Sequence, residues 1–306
     1  MRYTWRVDLL LRAITDDDSL RVLAAVTTDL VAEACRRHEL LGVEAIALGR
    51  ALTAGCLLTT LSKSPHERLR VDLRSEGPLG GVLIDASGDG GVRGCLRRSL
   101  GDNTLRDRLE LASGRLPLSP FMGRRGALTV TRDLGPESRY QGTVELTTGE
   151  VDADLEHYLN VSEQLPSLLH CDVVLDGRRR VLRAGGVLFQ TFPGGDRAAL
   201  AEIRRTLDDD SFAALLLQPR EPADLARFAL GGAQFREMGE SPLRFRCKCG
   251  PDTARGVLST LGAEDLDALA EERESTEVRC SYCGARYVVG RAALRALAAE
   301  LRSMRS

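Results

Sequence analysis

At 306 residues the chain has room for two domains, or for one large domain with an appendage. A hydrophobic fraction of 43 % is ordinary for a globular protein and can fill a core. A net charge of −2 removes any bulk electrostatic case for nucleic acid.

Met1-Arg2-Tyr3-Thr4-Trp5 carries neither an apolar signal core nor a small-residue cleavage site. No apolar run reaches the roughly 18 residues a membrane span requires. A soluble cytoplasmic protein is the expectation. Of 42 basic residues only Lys63 and Lys248 are lysine. The arginine total reads as coding bias, which makes Lys248, set between two cysteines, less easily an accident of composition.

Thr28-Asp29 opens a helical pattern that runs to Leu41, and after Gly42 a second apolar helix spans about Val43 to Leu61. Cys35 and Cys56 lie inside these helices as plain core residues. From Glu67 the period changes to two, with Leu69, Val71 and Leu73 alternating with charged neighbours, as in a half-buried strand. Further strands are expected at Val82–Asp85, Ala127–Arg132 and Tyr140–Thr147, with turns at Gly77-Pro78, Gly88 to Gly91 and Gly135-Pro136. Gly88-Asp89-Gly90-Gly91 lacks the Gly-Lys-Ser/Thr of a phosphate loop and reads as a hairpin turn. A helix over Asp152 to Gln164 ends before Pro166, and Leu168–Leu175 and Val181–Phe192 read as strands, the first holding Cys171. Residues 1–195 therefore read as an α+β core domain with a mixed or antiparallel sheet.

Between 196 and 245 the texture shifts to short helical pieces, one capped by Asp208-Asp209-Asp210, with Phe212, Leu215, Leu216 and Leu217 on an apolar face. Such a helical linker is too broken to fold alone and too apolar to stay free, so it must lean on a neighbour. Residues 246–306 form a third region: a strand over Leu243–Cys249, helices over Asp252–Leu261 and Glu264–Arg273, and Glu277–Cys280 leading into a turn. Tyr287-Val288-Val289 is then a strand before a final helix carrying Leu294, Leu297 and Leu301.

Chemistry is concentrated in this last region. Cys247-Lys248-Cys249 is followed about thirty residues later by Cys280-Ser281-Tyr282-Cys283-Gly284. Two close cysteine pairs can supply a closed tetrahedral Cys₄ site for Zn²⁺, and no histidine lies beyond His170. On a strand, residues i and i+2 share a face, so Cys247 and Cys249 can serve one ion. Cys-x-x-Cys-Gly reads as a knuckle in which Gly284 turns the backbone. A region of about 60 residues is insecure without a staple, and the metal is that staple. In a reducing compartment these thiols read as metal ligands or redox sensors before structural disulfides.

The chain resembles the 33 kDa chaperonin family, the redox-regulated heat-shock holdases of bacteria. Cys-x-Cys followed by Cys-x-x-Cys matches the family's zinc motif at Cys247, Cys249, Cys280 and Cys283. Arg139-Tyr140-Gln141-Gly142, Ser162-Glu163-Gln164-Leu165-Pro166 and Ala184-Gly185-Gly186 extend the likeness along the chain. The resemblance implies an ATP-independent chaperone, not an enzyme, with an inactive zinc-bound reduced form. It also implies oxidation to Cys247–Cys249 and Cys280–Cys283 disulfides with zinc release, and a reduced monomer that becomes an oxidised homodimer. Clients would be unfolded or misfolded proteins. On this expectation the linker exposes Phe212, Leu215, Leu216, Leu217, Phe228 and Phe235 to them. On an extended strand the i and i+2 α-carbons lie roughly 6.5 Å apart, near the disulfide limit of about 6.8 Å, so closing Cys247–Cys249 should bend strand Leu243–Cys249.

Two other classes compete. A zinc-ribbon nucleic-acid-binding protein would show a basic face, whereas residues 246–306 hold ten basic and nine acidic side chains. A thiol–disulfide oxidoreductase would place Cys280-Ser281-Tyr282-Cys283 at a helix N-terminus, whereas a strand is expected after it. His38, His66, His157 and His170 are scattered and read as surface or core residues.

Overall fold

The computed structural model describes residues 8–59, 66–101, 115–135, 139–192, 195, 197–207, 211–218 and 221–304. Met1 to Trp5, Leu61, Lys63, Pro136 and Asp208 to Asp210, all used above, lie outside them. Two units are distinguished, Met1–Arg246 and Cys247–Ser306.

In the first unit, β1 (Leu9–Thr15) and β2 (Leu20–Val26) form an antiparallel hairpin ahead of α1 (Thr28–His38). Thr27 makes no side-chain cap to α1. The Asp8 carboxylate does so instead, accepting the N–H groups of Asp29 at 3.2 Å and Leu30 at 2.6 Å. α2 (Val43–Thr59) has apolar residues on every side, and all 17 of its residues are buried, its charged Glu44 and Arg50 included. Its Gly49 has Val173 and Val31 side-chain carbons at 2.6 and 2.7 Å from where a β-carbon would stand, so helix and sheet approach closely there. The buried Arg50 of α2 is neutralised by Asp172 at 2.9 Å and Glu150 at 3.4 Å, and donates to the Leu116 carbonyl at 2.9 Å.

β3 (Arg68–Ser75), β4 (Gly81–Ser87) and β5 (Gly91–Leu96) follow as a meander, with Gly88 to Gly91 turning the chain from β4 to β5 as expected. After the short α3 (Ser119–Met122) come β6 (Gly126–Asp133), β7 (Arg139–Glu145), α4 (Val151–Val161), β8 (Ser167–Leu175) and β9 (Val181–Thr191). The segment from 196 to 245 contains α5 (Arg197–Leu207), α6 (Ser211–Leu216) and α7 (Pro222–Ala229), then β10 (Phe235–Pro242) and the two-residue β11 (Arg244–Phe245). The fold is α+β. A five-stranded sheet runs β10-β1-β2-β9-β8, and a six-stranded sheet runs β11-β5-β4-β3-β6-β7. Every pairing in the two sheets is antiparallel except β11 with β5.

One core cluster joins α1, α2 and α4 to both sheets, and a second fills the other face of the five-stranded sheet. Alternation along β2 divides it between them: Leu23 and Ala25 serve the first cluster, Val22 and Ala24 the second. The second cluster is closed by Leu200, Ile203 and Leu207 of α5, Phe212 and Leu216 of α6, and Leu225 of α7.

The expected helical linker is thus corrected in one respect. Its residues Phe235–Pro242 form a strand, β10, antiparallel to β1 with a bulge between Arg12 and Ala13. Residues 196–245 lie within the first of the two units. The pattern Phe-Arg-Glu-Met-Gly-Glu-Ser-Pro gives no local sign of this, because its partner lies more than 200 residues earlier.

The second unit contains α8 (Pro251–Ser259), α9 (Ala263–Glu272), the hairpin β12 (Ser275–Arg279) and β13 (Arg286–Gly290), and α10 (Arg291–Ser303). Its buried core is six residues: Leu258, Leu266, Ala270, Leu294, Leu297 and Ala298. No helix among the described residues is long and apolar enough to cross a membrane.

Candidate metal centre

Two local structures deliver the four cysteines. β11 ends at Phe245, and Cys247 to Cys249 run without regular structure to Gly250, from which Pro251 opens α8. The strand expected through Cys249 therefore stops short, because the last ladder bond of this segment is Arg246 N–H to the Val92 carbonyl at 2.8 Å. Cys280 and Cys283 occupy the turn between β12 and β13. Gly284 donates its N–H to the Cys280 carbonyl at 2.8 Å with φ of 70°, and Cys280 donates to the Ala285 carbonyl at 2.8 Å. That positive φ is what the sequence required of Gly284.

The turn and the irregular segment bring all four Sγ atoms within 4.8 Å of one another. Cys249 and Cys283 Sγ are 3.3 Å apart, and Cys247 and Cys280 Sγ 3.7 Å. A metal–sulfur bond of about 2.3 Å implies a tetrahedral edge of about 3.8 Å, so the sulfurs match the demand of Zn²⁺ and could hold such an ion. Cys283 is buried and the other three are half-buried. Burial pushes the Cys280 and Cys283 thiols up, so left to themselves they stay protonated. A cation among them reverses that preference. Lys248 is exposed.

One neighbour was not singled out from the sequence. Tyr287, on β13, donates its hydroxyl to Cys249 Sγ at 3.1 Å. Hydrogen bonding to Cys249 pushes the phenol up to about 12. Its one sign in the sequence is its place four residues after Cys283, in the expected strand Tyr287-Val288-Val289.

The remaining cysteines stay apart from this cluster. Cys35, Cys56, Cys95 and Cys171 are buried in the first unit, and burial pushes the Cys35 thiol up to about 12 and holds the Cys56 and Cys171 thiols well above their ordinary value. Of the six linker residues expected to meet clients, Phe212 and Leu216 are buried, Leu215, Phe228 and Phe235 are half-buried against the same cluster, and Leu217 is 51 % exposed.

The family model for the Hsp33 protein matches residues 8–290. The chain belongs to the Hsp33 family. Relatives named 33 kDa chaperonin include one from Desulfotalea psychrophila, 34 % identical over 281 residues, which are 92 % of this chain and 93 % of that protein. Another, from Synechocystis, is 36 % identical over 298 residues, covering 96 % and 97 % of the two chains. The crystal structure of the 33 kDa chaperonin (heat shock protein 33 homolog) from Thermotoga maritima matches with a TM-score of 0.83 at 25 % identity, covering 97 % of this chain and all of that one. As an Hsp33 member the chain is a chaperone. Its four-cysteine cluster lies in the second of its two units.

Proposed function

We propose that this chaperone is a redox-regulated, ATP-independent holdase. Zinc on Cys247, Cys249, Cys280 and Cys283 would keep it inactive, and oxidation would activate it toward unfolded or misfolded proteins. The observation that carries the reading is four thiols gathered within 4.8 Å in a unit whose buried core is six residues. Zinc, when bound, supplies the cross-link between the irregular segment and the turn and keeps the four sulfurs as thiolates.

The chain's own residues carry the switch. A thiolate of Cys280 or Cys283 attacks a peroxide oxygen: a sulfur–oxygen bond forms, the oxygen–oxygen bond breaks and hydroxide leaves. The paired sulfur then attacks the sulfenic sulfur, closing the disulfide and expelling a second hydroxide. Cys247 and Cys249 undergo the same two steps. Two electrons leave each pair for each peroxide reduced. With either pair oxidised, the tetrahedral donor set no longer exists.

Loss of a contribution on the order of 10 kcal/mol exceeds the roughly 5 kcal/mol that so small a core holds, so residues 246–306 unfold. Since Cys247–Cys249 lie outside any strand, closure of that pair acts on an irregular segment rather than by bending a ladder. In the same reading residues 196–245 then loosen and present Phe212, Leu215, Leu216, Leu217, Phe228 and Phe235 as apolar surface.

The test follows zinc content and suppression of client aggregation together, before and after peroxide. The expected result is one zinc per chain with little suppression when reduced, and zinc loss with strong suppression when oxidised. Full activity of the zinc-loaded reduced protein would sink the switch.

A further inference from the structure

The two halves of the cysteine cluster are supported differently. Cys280 and Cys283 are held by their own turn, in which Gly284 donates its N–H to the Cys280 carbonyl and Cys280 donates to the Ala285 carbonyl, each at 2.8 Å. Cys249 stands on a segment without regular structure, and a donor that reaches it comes from another element: the Tyr287 hydroxyl, 3.1 Å from its sulfur. Tyr287 is itself fixed, because β13 pairs with β12 and sets Tyr287 opposite Val278. The hairpin that presents the second cysteine pair thus also reaches back to hold one sulfur of the first.

We propose that Tyr287 is a positioning residue of the metal centre, whose hydroxyl holds the Cys249 sulfur in the donor set and lowers that sulfur's reactivity toward electrophiles. Two physical effects combine. A sulfur whose lone pair accepts a hydrogen bond has less electron density to give an incoming electrophile, and it is also confined to one orientation. A donor outside the ligand shell that orients a ligand typically changes metal affinity by about 10–100-fold. The inference rests on the reading of the four cysteines as a zinc site.

The test compares full-length, zinc-loaded wild type with Tyr287→Phe, which keeps the ring and removes only the hydroxyl. Zinc affinity is read by equilibrium competition with a chelator. The reactivity of each sulfur is read from residue-resolved alkylation by iodoacetamide, in which a sulfur–carbon bond forms as iodide leaves. Expected for Tyr287→Phe are zinc binding weakened by about 10-fold or more, and a several-fold rise in the alkylation rate of Cys249 relative to Cys280. Val278→Ala trims the packing opposite Tyr287 and leaves the hydroxyl in place, so it should not change that ratio.

The inference is overturned if Tyr287→Phe stays within twofold of wild type on both measures, or if Val278→Ala reproduces its effect. A wild-type chain that takes up no zinc overturns the zinc reading and this inference together. Zinc uptake by wild type with an unchanged Tyr287→Phe overturns this inference alone.

Discussion

A thiolate is a far better zinc donor than a hydroxyl, so the sharpest single change to the donor set is oxygen for sulfur at Cys283, its most buried member. Cys283→Ser should abolish stoichiometric zinc binding and collapse the amide dispersion of residues 247–304 in an NMR spectrum, with the first unit's signals retained. A second residue-scale expectation concerns His170 on β8, which is buried with its ring edge-on to Phe212 at 4.9 Å. Burial, then the Arg115 guanidinium, hold its imidazole down to about 4, against the pull of Asp152 and Asp172 and with a smaller push from Arg50. The unfolded chain binds this proton below its ordinary value of about 6.5, and the folded chain does so only near 4. Between those values the unfolded state therefore holds more protons and stability rises with pH. The contribution is whole above pH 6.5 and falls by on the order of 3 kcal/mol on acidification to pH 4. Denaturant titrations across that window should show a shallower pH slope for His170→Gln than for wild type. An imidazole titrating near 6.5 by NMR would contradict this.

At the scale of elements, the segment from α5 to α7 is the cover of a sheet. β2 and β9 are apolar toward both sides, so the five-stranded sheet exposes a second oily face unless helices close it. Leu207, Phe212, Leu216 and Leu225 are buried against it, and the half-buried Leu215, Phe228 and Phe235 line the same cluster. A linker that is apolar because it covers a sheet is also a linker whose departure uncovers one. Phe212→Ala removes a fully buried ring and should cost about 3–5 kcal/mol of this packing. Limited proteolysis within residues 197–218 should accelerate accordingly, and suppression of client aggregation should rise without oxidant. Faster cleavage without any gain in suppression would remove this surface from the client-binding reading while leaving the packing account intact.

For the whole molecule, the first unit's buried core is drawn from residues 10–243 and the second's from residues 258–298. Zinc removal by a strong chelator under reducing conditions should therefore delete the thermal transition of the second unit and leave most of the unfolding enthalpy of the first, as read by calorimetry. The cysteine cluster was legible in the sequence because four cysteines stand in two close pairs, and because Gly284 follows where the turn needs a positive φ. β3 and β6, half-buried, show the period of two, and α10 the period of 3.6, since each has one wet face for the pattern to record. The same logic hid other elements. β1 and β2 lie between two apolar layers and lose the alternation that marks a strand, and β10 is polar along an edge whose partner stands at the other end of the chain. The cap of α1 by Asp8 and the hydrogen bond from Tyr287 to Cys249 are likewise contacts between separate elements. The sequence by itself determined which four cysteines cluster, the α+β class and the small size of the region that holds them, because composition and spacing act locally. Only the tertiary structure decided that the linker covers a sheet and that a tyrosine reaches one of the clustered sulfurs, because burial on both faces and contacts across separate elements leave no periodic trace in the chain.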